Sequence, residues 1–319
     1  MKAELQDASL TRYAGQFVWL ELDFDRPGNQ AFIARNHVEY TPTLLIVDPH
    51  DEHVIARQLG GLALPEMRGF LDNAADPGRA LAAKLWTMKG NDAKCSQLAL
   101  ANAPAMKRDA SFARVVLAAI WCTDAASPSW KSVESLAIQA IDSPATLRDH
   151  RFQIYQQLMA KAKARNDHAT LQKWGDRWLA EIAAIKPVND DERSALDVAR
   201  DDAAGLLEQP ERVIPALVES ERAMPNNYNA SLRLAQMQLD AKHYNEAIAA
   251  ADRGLRHVTG PLGRMWLLQT KGEALNAKGD RAAALHTFDE ALRWAKQIGG
   301  QRLRDRNVAS IQHRIAELR

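Results

Sequence analysis

Five side chains able to hold a metal ion fall within six residues, at Asp48, His50, Asp51, Glu52 and His53. A cation site needs donors that converge in a fixed geometry. No cysteine or further histidine lies near this cluster in sequence, and the same composition makes a solvated turn after a strand. No metal ligand is therefore assigned, and no cofactor is expected. The two cysteines, Cys95 and Cys122, lie far apart within helical patterns. A free thiol in such a place behaves as a small hydrophobe, so two buried free thiols are expected. No P-loop, Gly-rich dinucleotide turn, nucleophile elbow or His-Glu-x-x-His occurs. Gly60-Gly61 follows a strand pattern but lacks the rest of a phosphate cradle, and no catalytic residue is assigned.

The elements that would position these groups belong to a chain of 319 residues, more than one domain usually holds. Hydrophobic residues at 46% can build a sizeable core, and 41 basic against 40 acidic residues leave a net charge of +1, without the basic excess of a nucleic-acid binder. No apolar run is long enough to span a bilayer. Met1 to Asp7 carries charges and no apolar leader core. As written, the chain reads as cytoplasmic. A start placed inside a longer gene would have removed a leader, and the protein would then be periplasmic or secreted.

Along the chain, Met1 to Tyr13 reads as a short helix and Phe17 to Asp23 as a strand. Asp25 to Gly28 makes a turn, and Asn29 is placed to cap a helix carrying Phe32 and Ile33. Thr43 to Val47 is β-branched and apolar without alternation, as a strand buried on both faces would be. The turn at Asp48-Pro49-His50-Asp51 then makes a hairpin with the run from Val54. Pro42 can open such a strand only where no ladder N–H is needed, which marks a special backbone position and a candidate cis bond. A helix at Pro65 to Leu71 follows. On Thr41-Pro42-Thr43, Gly60-Gly61 and that last helix, residues 1 to about 75 resemble the thioredoxin-like family. The resemblance implies a peptide-pairing edge beside Thr41 and Pro42. It also shows a gap, since the family's central strand and Cys-x-x-Cys would precede Met1 and no cysteine occurs before Cys95.

Beyond Asp76-Pro77-Gly78, strand signals give way to amphipathic helix patterns. Stripes run through Leu81, Leu85 and Trp86; through Phe112, Val115, Val116, Ala119 and Ile120; through Phe152, Tyr155, Leu158, Met159 and Ala162; and through Leu171, Trp174, Trp178, Ile182 and Ile185. Breaks fall at Pro104, Ser127-Pro128, Ser143-Pro144 and Lys186-Pro187. Near the C-terminus, Trp266 to Leu275 followed by Lys278 to Leu292 closely resembles a tetratricopeptide repeat, with Gly272 at the close approach and Ala284, Phe288 and Ala291 on the seam. A second copy runs from Leu232 to Leu255, departing from the family at Gln238 and Lys242, and a fainter one ends at Ala223 to Asn227. Val308, Ile311, Ile315 and Leu318 suit a terminal cap.

The expected fold class is α/β plus all-α: a partial thioredoxin-like fold (1–75), a helical region (79–186) and a TPR-like alpha solenoid with a C-terminal cap (190–319). In the repeat family the first helix of each pair lines a concave groove. Its groove positions match Asn229, Gln236 and Asp240 in one copy and Trp266, Gln269, Glu273 and Asn276 in the other. These side chains suit an extended peptide, and they suit equally a solvent-facing surface on which Trp266 packs against a neighbouring helix. The expected function is that of a protein-interaction module binding a protein or peptide partner, with no nucleic acid and no membrane. The alternative is a thiol-disulfide oxidoreductase whose Cys-x-x-Cys lies upstream.

Overall fold

The computed structural model describes residues 5, 7–50, 52, 54–72, 77–88, 92–107 and 111–319. Its only sheet among them is antiparallel and two-stranded, β1 (Thr43–Val47) with β2 (Val54–Leu59). Thr43 pairs with Leu59 and Leu45 with Arg57, and the register slips between Ile46 and Val47. The Thr41–Pro42 bond is cis, and beyond the ladder Gly60 N–H donates to Pro42 C=O at 2.9 Å. Asp48 Oδ1 accepts from His50 N–H at 2.8 Å, and Glu52 pairs with Arg35. Those metal-capable side chains thus serve the turn, while Asp51 and His53 lie outside the described residues.

Helix α1 (Gln30–Arg35) precedes the hairpin and α2 (Leu64–Asp72) follows it. Ile46 and Ala56 bury one face of the hairpin against Leu62, Met67, Phe70 and Leu71, a cluster joined by Leu10 and Tyr13. The latter two stand on a 3-10 helix, Ala8–Tyr13, capped by Asp7. This is the C-terminal part of the helix expected from Met1, of which residues 1–4 and 6 lie outside the described residues. Arg12 bonds the Asp72 carboxylate at 2.7 and 2.5 Å, and Tyr13 OH donates to Asp72 Oδ1 at 2.7 Å, tying this turn to α2.

The strand expected at Phe17 to Asp23 is not formed. Phe17 packs at the edge of the core cluster, but Val18 and Leu20 are 87% and 77% exposed, and Trp19 and Leu22 are exposed as well. Among the described residues, the backbone of 17–22 makes no hydrogen bond. An apolar β-prone stretch becomes a strand only when a neighbour supplies the ladder, and here none does.

The helices that follow are α3 (Pro77–Trp86), α4 (Asp92–Asn102), α5 (Phe112–Cys122), α6 (Trp130–Asp142), α7 (Arg148–Ala164) and α8 (His168–Ala184). Pro77 and Gly78 of the expected boundary open α3, while Asp76 lies outside the described residues. β2 packs on α3, and buried His150 and half-buried Gln153 of α7 bond Gln58 Oε1 and Leu59 C=O at 2.9 and 3.1 Å. Every residue of the Phe112 stripe is buried, as are Tyr155, Leu158, Met159 and Ala162. Met1–Leu171 is one compact unit and Gln172–Arg319 the other.

Cys95 of α4 and Cys122 of α5 form a disulfide, with Cα atoms 6.3 Å apart. The expectation of free thiols is corrected here: packing of α4 on α5 cancels the sequence distance between two buried cysteines.

In the second unit, α9 (Asp190–Leu207) and α10 (Ile214–Ala223) are followed by the hairpins α11 (Tyr228–Asp240)/α12 (Tyr244–Leu255) and α13 (Pro261–Ala277)/α14 (Arg281–Ala295), with α15 (Gln301–Glu317) last. Asn189, Asn227 and Asp280 cap α9, α11 and α14 with their side chains. Small residues let the helices meet: a Cβ on Gly272 would stand 2.9 Å from Phe288, and one on Gly254 2.7 Å from Leu267. Gly279 turns the α13–α14 link at φ +93°, and Lys242 holds the corresponding place between α11 and α12 at φ +63°.

Two predictions follow from this packing. Replacing Cys95 and Cys122 by Ala removes a cross-link spanning 27 residues, which the chain-entropy relation values at about 3–4 kcal/mol. Urea unfolding should show a loss of that order, and intact-mass analysis should find no iodoacetamide adduct on the unfolded wild type until a reductant is added. Lys242→Gly should raise stability by about 1 kcal/mol by removing a left-handed lysine, whereas Gly279→Lys should lower it; equal melting temperatures for all three chains would contradict the turn geometry.

Candidate functional site

Four helices of the second unit, α9, α11, α13 and α15, contribute to one open cavity of about 600 Å³. Its wall includes Asp201 from α9; Gln236 and Asp240 from α11; Trp266, Gln269 and Glu273 from α13; and Arg306, Asn307 and Ser310 from α15. The spacing explains the convergence. Residues three or four apart share a helix face, so Gln236 and Asp240 project together, as do Trp266, Gln269 and Glu273. The other faces of each helix carry the core: Leu234 and Ala235 on α11, Leu267 and Leu268 on α13.

Five of the nine expected site residues therefore meet in one place: Gln236, Asp240, Trp266, Gln269 and Glu273. Asn276 lines an adjoining cavity of about 670 Å³ with Glu273, Arg281 and Arg314. Asn229 lines neither cavity, although its backbone N–H bonds the capping Asn227 side chain at 3.0 Å. Thr41 and Pro42 are exposed beside β1 in the first unit. Asp201 and the three α15 residues were not expected, because α9 and α15 lie outside the two clear repeat copies and nothing local distinguishes these polar residues from solvated ones.

Trp266 is 37% exposed, a large aromatic surface left in the cavity wall. Its carbonyl accepts from Thr270 Oγ1 at 3.0 Å. Gln269 Nε2 donates to Glu273 Oε1 at 3.2 Å, and Arg314 Nε lies 3.7 Å from the same oxygen.

Behind the wall, α9 places Asp197, Asp201 and Asp202 against Arg233 of α11. Asp197 is fully buried, and its Oδ1 accepts from Arg200 at 2.7 Å and from Ser220 at 2.9 Å. Burial lifts the Asp201 carboxyl above its ordinary range, partly offset by Arg233. Burial, reinforced by the charge of Asp201, raises Asp202 to about 6. Burial also lifts Asp240. This is a concentration of carboxylates held partly out of water.

In the first unit, burial and the neighbouring Asp149 raise Glu66 to about 7. Glu66 accepts from Ala63 N–H at 3.0 Å and so closes the first turn of α2. That is a structural role, and the Asp149 carboxyl shares the site with it.

The Asp202 geometry has a measurable consequence. The folded pKa lies above the ordinary 3.8, so the folded state holds its proton longer and stability falls as pH rises from about 4 to about 6. Asp202→Asn should therefore stabilise the chain at pH 7 by about 1–2 kcal/mol, after allowance for partial exposure, and leave it unchanged near pH 3.5. Urea midpoints at the two pH values test this, and a pH-independent difference would contradict it.

No family model matches the chain, and neither a curated protein nor a solved structure matches it.

Proposed function

We propose that the second unit is a peptide- or protein-binding module whose ligand lies extended along the groove of α9, α11, α13 and α15. The observation that carries this reading is the convergence of Gln236, Asp240, Trp266, Gln269 and Glu273 on one open cavity. Side-chain amides there can bond a peptide backbone, and the Trp266 face can cover one apolar side chain, the usual pairing of polar positioning and aromatic anchoring. Paired helices with glycine at their close approaches support a tetratricopeptide-like array, in which neighbouring repeats bury a continuous core and leave one face open.

For the first unit we propose a redox-inactive, thioredoxin-like remnant offering a second peptide surface at Thr41 and Pro42. The stretch 17–22 beside this core favours it, because it exposes Val18 and Leu20 and has no backbone partner among the described residues, as a segment open to strand pairing would. The oxidoreductase alternative would need an upstream Cys-x-x-Cys, since Cys95 and Cys122 are buried. The cystine supports an oxidising compartment for the chain, periplasmic or secreted.

Phage display of random dodecapeptides on the intact chain supplies a probe. Trp266→Ala combined with Gln269→Ala should weaken the selected peptide at least tenfold while the helical circular dichroism signal is retained, because an aromatic anchor is typically worth about 2 kcal/mol or more. Unchanged affinity would remove the groove reading.

A further inference from the structure

We infer that the ligand of this groove is cationic: an extended segment that places a Lys or Arg side chain over Trp266 and against the carboxylates of Asp201 and Asp240. The inference rests on the groove-binding reading above and names the chemistry that reading leaves open.

The charges on the cavity wall are unequal. Asp201, Asp240 and Glu273 face Arg306 alone, and Glu273 is already approached by Arg314 at 3.7 Å. Behind the wall, Arg233 is the cation that Asp201 and Asp202 share. Asp197 draws on Arg233 too, although Arg200 and Ser220 already hold it. Burial lifts the Asp240 carboxyl, and among the described residues no ion pair holds it. Among the described residues, Arg306 makes no ion pair with Asp201 or Asp240. The wall therefore carries carboxylate charge that the fold leaves uncompensated. A ligand cation would supply what is missing, and an anionic ligand would meet repulsion.

Trp266 is the second, independent feature. A half-exposed indole in a concave wall gives up solvent only when something covers its face, and an Arg guanidinium or Lys ammonium does so by cation–π attraction while its aliphatic stem covers the ring. The same side chain can reach the carboxylates that line the same cavity. The width of the wall, four helices, suits a segment of several residues better than a small isolated cation.

The test uses the intact chain and three fluorescein-labelled dodecapeptides with a common Ser/Gly/Leu/Tyr frame, differing at three positions that carry Arg, Glu or Ser. Fluorescence anisotropy should show the Arg peptide binding at least tenfold tighter than the Ser peptide, with little binding of the Glu peptide and with affinity falling as salt is added. Asp201→Asn combined with Asp240→Asn should remove at least tenfold of the Arg-peptide affinity. Glu211→Gln combined with Asp289→Asn, which changes the same net charge outside the cavity, should not. Burial already disfavours the charge on Asp201 and Asp240, so their Asn forms should keep the helical circular dichroism signal of the wild type, which is checked first. Equal binding of all three peptides, lost on Trp266→Ala, would overturn the cationic ligand and keep the groove. Preference for the Glu peptide, or equal loss in both double variants, would also overturn it. No binding of any peptide would overturn both readings.

Discussion

The approach distance between successive helices governs the second unit. α13 can lie against α14 because Gly272 presents no Cβ to Phe288, and α12 can lie against α13 because Gly254 presents none to Leu267. Side chains at either glycine would force the helices apart or the aromatic and leucine side chains out of their places, and cores near crystalline density absorb such shifts poorly. With the outer helices held this close, α9, α11, α13 and α15 turn their remaining faces to a common space. The groove is a consequence of packing elsewhere.

The same logic explains how much of the molecule was legible in the sequence. Gly272, Ala284, Phe288 and Ala291 announce a helical hairpin because their spacing and size fit one geometry, and Gln236, Trp266 and Glu273 follow as the residues on the opposite face. Asp201 and Arg306 reach the cavity from helices with no such pattern, so only the three-dimensional arrangement brings them in. The cysteines escaped for a related reason. Their pairing depends on how α4 packs on α5, which composition and separation do not specify. Phe17 to Asp23 misled in the opposite direction. Its residue types satisfy a strand, yet a strand is a relation between two segments, and the described partners of β1 stop at β2.

Electrostatics give the groove its character. α9 carries Asp197, Asp201 and Asp202 on neighbouring turns, an arrangement that isolated helices disfavour and that Arg200 and Arg233 help to relieve. Carboxylates kept from water weaken the free protein slightly. At the proposed site an arriving positive charge would be worth more than on an open surface. On that reading, the stability given up here is the expected sign of function, and it coincides with the exposed indole of Trp266.

The central claim is that this one face of the helical unit receives an extended cationic ligand. Nitrogen–proton correlation spectra of the labelled chain, recorded while the arginine-bearing peptide is added, test it most directly. The indole N–H of Trp266, assigned through Trp266→Phe, and the side-chain amides of Gln236, Gln269 and Asn307 should move together with one dissociation constant. A bound peptide that leaves these four groups unmoved and shifts residues of α12 and α14 would contradict the account.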